Sequence, residues 1–65
     1  MDKKCIANRL KELRGVRTQE EVAEATGITI SAISMYECAQ RVPRDEIKKK
    51  LSDYYDETIQ AIFFD

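Results

Sequence analysis

Catalysis and metal binding draw on a short menu of side chains, and this 65-residue chain offers little of it. It has no histidine, and its two cysteines, Cys5 and Cys38, lie far apart with neither in a C-x-x-C pair. A zinc site needs four close-spaced N or S donors, so no metal or cofactor is expected. There is no Gly-rich phosphate loop and no plausible activated cysteine. Cys5 and Cys38 instead read as small apolar fillers, because a reducing cytosol disfavours a disulfide between them. The carboxylates fall at helix starts and on solvent faces, where capping accounts for them. The chain is therefore not expected to be an enzyme.

What remains is the chemistry of charge, amide and hydroxyl. The formal net charge is −1, but its distribution is uneven. Residues 1–19 carry Lys3, Lys4, Arg9, Lys11, Arg14 and Arg17 against Asp2 and Glu12. Residues 20–37 hold only acidic groups, namely Glu20, Glu21, Glu24 and Glu37. Residues 38–50 turn basic again through Arg41, Arg44, Lys48, Lys49 and Lys50, and the tail from 51 to 65 is acidic. Two basic segments thus flank a stretch with no Lys or Arg, which would suit a basic rim around a neutral centre. A polyanion such as nucleic acid fits that pattern better than the net charge suggests.

Those groups must be carried by a small fold. A chain this short buries only about 60% of the surface its unfolded form exposes, so one economical domain over residues 1–65 is expected. Its 43% hydrophobic and 35% charged residues are those of a globular protein. With Gly 2 and Pro 1, tight hairpins have too few turn residues, so short strands are not expected. The longest uncharged run, Ala25 to Tyr36, is too short and too polar to cross a membrane. No apolar stretch follows Met1 to Lys4, because Asn8, Arg9, Lys11 and Glu12 interrupt it, so no secretory signal is expected and the compartment is the cytoplasm, in association with the nucleoid.

Periodicity predicts an all-α domain of five short helices. Ile6, Leu10 and Leu13 follow i, i+4, i+7 spacing over residues 3–14, stopping at Gly15. Thr18 opens a capping box with Glu21 for a helix from Gln19 to Thr26, and Gly27 supplies its left-handed end. Ile28 anchors the turn, and Thr29 caps a helix over residues 30–38 with Ile33 and Tyr36 on its inner face. Pro43 marks a restart before the stripe Ile47, Leu51, Tyr54, Tyr55. Thr58 caps a last turn bearing Ile59, Ile62 and Phe63, which leaves Phe64 off the inner face.

The segment from about 19 to 38 has the spacing of a helix-turn-helix. Ala23 allows close approach of the second helix, Gly27 sits at the sharp turn, and Val22, Ile28, Ile33 and Tyr36 form the apolar wedge. At about 100° per residue, Ser34, Cys38, Ser31 and Met35 fall within about 140° of Ile30, while Ile33 and Tyr36 lie on the opposite side. Ile30, Ser31, Ser34 and Met35 are therefore the side chains able to face a ligand.

The chain resembles the Cro/repressor-type helix-turn-helix regulators of phages and bacteria. The resemblance rests on Asn8 to Arg14, Thr18 to Ala23, Gly27-Ile28-Thr29, Ser31 to Glu37, Arg41 to Ile47 and the ending Ile59 to Phe64. It implies a compact five-helix domain of the phage repressor DNA-binding type. Such a domain binds double-stranded operator DNA as a homodimer, with helix 30–38 in the major groove. The family's base-contacting positions fall on Ile30, Ser31, Ser34 and Met35, and Gln19 matches a position that contacts phosphate or an adjacent base. Arg9, Lys11, Arg17, Arg41 and Arg44, with Thr29 at a helix start, complete the expected phosphate-positioning set. Arg14 and Glu37 match a partly buried ion pair of some relatives.

The departures from the family carry their own expectations. Ile30 and Met35 cannot make bidentate hydrogen bonds to bases but can touch thymine methyls, which leaves the polar contacts to Ser31 and Ser34. Cys38-Ala39-Gln40 replaces the usual Asn-Gly and basic residue. The function expected is transcriptional repression. The alternatives are an antitoxin, which would also bind a toxin or antirepressor partner, and an interaction module that has lost DNA binding.

Overall fold

The computed structural model describes residues 2–64; Met1 and Asp65, the ends of the expected domain, lie outside them. The described chain is all-helical: α1 (Lys3–Arg14), α2 (Gln19–Thr26), α3 (Ile30–Glu37), α4 (Asp45–Tyr55) and a closing π-helical turn, α5 (Gln60–Phe64). It measures 26 × 22 × 22 Å.

Local chemistry sets most boundaries. The Asp2 carboxylate accepts the Cys5 N–H at 2.9 Å and starts α1; that bond holds the carboxyl below its ordinary pKa. The Thr18 hydroxyl accepts the Glu21 N–H at 3.1 Å, Thr29 the Ala32 N–H at 3.1 Å, and Thr58 the Ala61 N–H at 3.0 Å. Gly27 ends α2 at φ 77°, a left-handed conformation that costs glycine little. Inside α2, the Thr26 hydroxyl bonds the Val22 carbonyl at 2.7 Å and accepts the Ile28 N–H at 3.2 Å, which tightens the turn into α3.

Two expectations need correction. Helix α3 stops at Glu37, and Cys38 is its C-cap, so the helix is one residue shorter than expected. Neither Cys5 nor Cys38 is an apolar filler, because both are exposed free thiols. Cys5 lies beside the α1 stripe rather than on it, and Cys38 lines an open groove with Lys4, Asn8 and Lys11 of α1. The missing glycine after Cys38 has a backbone consequence too: Ala39 takes φ 62° in the left-handed region.

The buried residues form one cluster. Ile6 and Leu10 of α1, Val22 of α2, Ile28, Ile33 and Tyr36 around α3, Leu51 of α4, and Ile62 and Phe63 of α5 meet there. Leu13, Ile47, Tyr54, Tyr55 and Ile59 pack against its edge. Helix α1 packs on α3 and α5, and α2 packs on α3 and α4. Helices of eight residues are not stable alone, so α2 and α3 depend on this core for their shape.

Candidate nucleic-acid interface

The core fixes which face α3 presents. Ile33, Tyr36 and Glu37 are buried; Ile30 and Ser31 are exposed, and Ser34 and Met35 are half-buried. The only ionised side chain of α3 is Glu37, and it faces inward. The outer face thus carries two hydroxyls, a thioether and an isoleucine that is 45% exposed.

Polar groups gather in two places beside this face. At the C-terminal end, Glu37 is 4% exposed and bound by a fork from Arg14, with Nε 2.9 Å from Oε2 and Nη2 2.9 Å from Oε1. Arg14 Nη1 also donates to the Arg17 carbonyl at 2.7 Å, which closes the α1–α2 loop. The hydrogen bonds to Glu37 raise the Arg14 pKa, so its charge persists throughout the accessible pH range. Gln19 completes the network by donating Nε2 to Glu37 Oε1 at 3.1 Å. This bond fixes which side of the carboxamide is nitrogen, and leaves one N–H and the carbonyl for other partners.

Along α3, from Thr29 past Ala32 to Tyr36, lies an open groove of about 300 Å³. Its walls also include Arg41, Arg44, Glu46 and Ile47. Two guanidinium side chains and a helix-capping hydroxyl thus share one recess beside α3. Helix α4 begins there as well, and its N-cap residue Arg44 makes no side-chain cap bond. Short helix, sharp Gly27 turn and buried wedge together form a helix-turn-helix.

A family model described as helix-turn-helix matches residues 10–62. The chain belongs to the Cro/repressor-type helix-turn-helix family. This is a family of DNA-binding regulators. No curated protein and no solved structure matches the chain.

Within this helix-turn-helix, the expected site residues divide into those the fold brings to α3 and those it occupies elsewhere. Ile30, Ser31, Ser34 and Met35 share the outer face of α3, with Gln19 bound to Glu37 and Thr29, Arg41 and Arg44 in the groove alongside. Lys11 is exposed and lines a separate groove with Lys4, Asn8 and Cys38. Arg9 is half-buried and donates to the Ala61 carbonyl, tying α1 to α5. The Arg17 guanidinium lies 5.2 Å from the Tyr54 ring centre and 5.8 Å from that of Tyr55. Among the described residues, no helix is long and apolar enough to cross a membrane.

Two features of the site escape sequence reasoning. The bond between Gln19 and Glu37 spans 18 residues, and no local pattern announces it. Tyr36 reads as core, and its ring is core, yet it also borders the arginine-lined groove. The signal was available in its type: phenylalanine would fill the same wedge without a hydroxyl to satisfy.

Proposed function

We propose that the chain is a transcriptional repressor that binds double-stranded DNA sequence-specifically, with α3 in the major groove. The observation that carries this is the placement of phosphate-binding chemistry beside an uncharged outer helix face, with Gln19 on Glu37 and Thr29, Arg41 and Arg44 in one groove along α3. Gln19 and that groove suit contacts to the backbones that flank a major groove. Lys11 and Arg17 add positive charge on the α1 side. Arg9 contributes by holding α1 and α5 together, since its guanidinium already serves the Ala61 carbonyl.

Base reading falls to Ile30, Ser31, Ser34 and Met35. None of them offers the paired donors and acceptors that read guanine or adenine bidentately. Discrimination then rests on apolar contact with thymine methyls, single hydrogen bonds from the serines, and DNA shape. Repression follows from occlusion of a promoter by the bound domain, in the cytoplasm of a bacterial or phage-infected cell.

Phe64 supports a homodimer. It is 56% exposed at the end of α5, with the Lys48 ammonium 4.7 Å from its ring centre. A two-fold pairing over this end would set two recognition helices about 34 Å apart on a palindromic operator. The exposure of Ile30 also favours a second reading, in which α3 docks a protein such as a toxin or antirepressor.

Fluorescence anisotropy with duplexes from the chain's own upstream region, titrated across salt, separates these readings. DNA binding predicts a log–log salt dependence that Arg41→Ala or Arg44→Ala flattens by about 0.9 each. Affinity and slope unchanged in both variants would refute this docking.

A further inference from the structure

One polar group of the core is left without a protein partner: the hydroxyl of Tyr36. The residue is 7% exposed and its ring belongs to the central cluster. Buried tyrosines ordinarily find a partner for the hydroxyl. Here no hydrogen bond joins it to any described residue, yet no buried side-chain oxygen or nitrogen is unsatisfied. The hydroxyl is therefore not sealed inside, and Tyr36 is among the residues that line the groove with Thr29, Arg41 and Arg44.

The surroundings specify what could occupy that recess. Arg41 and Arg44 supply two positive charges against one carboxylate, Glu46. The neighbouring Asp45 carboxylate lies 3.9 Å from the Lys48 ammonium. The start of α4 borders the same groove without a side-chain cap, so its first-turn N–H groups are available to an outside acceptor. A hydroxyl donor, two guanidinium groups and an uncapped helix start are together complementary to a phosphodiester.

We propose that the Tyr36 hydroxyl donates to a non-bridging oxygen of the backbone phosphodiester that the docking above places between Arg41 and Arg44. The site rests on the DNA-binding function proposed above and adds to it a fixed point. Arg41 and Arg44 are exposed side chains with many rotamers, whereas the Tyr36 ring is clamped by the core. Its hydroxyl is thus a positioning group that sets the depth and register of α3 against the backbone.

Tyr36→Phe tests this, because it keeps the buried ring and removes only the hydroxyl. The probe is a duplex that the wild-type protein enriches from a random-sequence library. A hydrogen bond to a charged acceptor predicts about tenfold weaker binding. The hydroxyl carries no charge, so the salt slope should stay at the wild-type value, in contrast to Arg41→Ala. The preferred sequence should not change. A methylphosphonate scan of the duplex gives a second readout at temperatures where both proteins are folded. One substituted position should weaken wild type markedly and Tyr36→Phe much less. Wild-type affinity in Tyr36→Phe, or equal sensitivity of both proteins at every phosphate, would overturn the site while leaving DNA binding intact. Failure of the wild type to enrich any duplex would overturn the DNA-binding function itself, and this site with it.

Discussion

Truncating Arg14 to alanine strands the Glu37 carboxylate, and the structure sets the size of the effect. Glu37 is 4% exposed and takes the Arg14 fork at 2.9 Å on each oxygen, so loss of Arg14 leaves it only the Gln19 amide at 3.1 Å. Breaking a buried pair from one side costs about 3–5 kcal/mol. The Arg14 side chain is 22% exposed, so water can enter behind the truncation and the low end, about 3 kcal/mol, applies. A domain of this length has about 3–10 kcal/mol in total, so the loss should lower Tm by about 12–24 °C. Replacing both partners, as Arg14→Met with Glu37→Leu, strands no charge and should be close to neutral, costing less than either single change. Urea unfolding followed by circular dichroism measures all three variants against wild type. The double variant should also bind DNA more weakly than its stability implies, because Gln19 loses the acceptor that orients its carboxamide. A loss under about 1 kcal/mol in Arg14→Ala, or a double variant no better than the worse single one, would refute the pairing as a stability determinant.

Three further perturbations address the backbone, the base-reading face and pH. Ala39→Gly should stabilise the protein by about 1 kcal/mol, raising Tm by about 4–8 °C, because Ala39 sits at φ 62°; an unchanged or lower melting temperature would contradict strain there. Replacing thymine by deoxyuridine in a bound duplex should weaken binding about fourfold per contacted methyl, and Ile30→Ala should lose that sensitivity. Equal affinity for both DNAs would remove methyl contact as a source of specificity. Burial pushes the Tyr55 phenol up to about 12 from an ordinary 10.0, so below pH 10 it does not affect stability. Between pH 10 and 12 the unfolded chain releases this proton first, and stability should fall; urea midpoints of Tyr55→Phe should fall less steeply over that window, and parallel curves would refute the shift.

What could be read from the sequence was local. The caps at Thr18, Thr29 and Thr58 act over three residues, and the left-handed end at Gly27 depends on one residue's freedom. The face of α3 was legible for the same reason, since helical geometry separates Ile30 from Ile33 and Tyr36 without knowledge of the partner helix. Tertiary choices were not legible. The Arg9 contact with Ala61 spans 52 residues, so the tie it makes between α1 and α5 is invisible in a residue that reads only as one charge of a basic segment. Cys5 illustrates a misreading of burial. Cysteine is often buried, but this one lies one residue before Ile6 on α1, and that offset turns it outward. The left-handed Ala39 follows from a compact connection that α3 and α4 demand, whatever residue occupies it.

Adjacent residues Tyr36 and Glu37, at the end of α3, explain how an eight-residue helix can serve as a rigid reading head. Glu37 is tied through Arg14 to α1 and through Gln19 to the start of α2. The Tyr36 ring is held in the core, and the same side chain borders the groove at the start of α4. Rotation of α3 about its axis would break the first tie and expel the second ring, so orientation is controlled where the helix is buried rather than where it reads. In the docking proposed here, Gln19 is anchored to Glu37 and the arginine-lined groove is bordered by Tyr36. Binding then orders few additional side chains on the backbone contacts, and the entropic cost of association is lowered in advance. This matters most for an outer face built from Ile30, Ser31, Ser34 and Met35. Weak apolar and single-bond contacts discriminate between sequences only if they are held at fixed distance from the bases, and the buried turn at Tyr36 and Glu37 supplies that constraint.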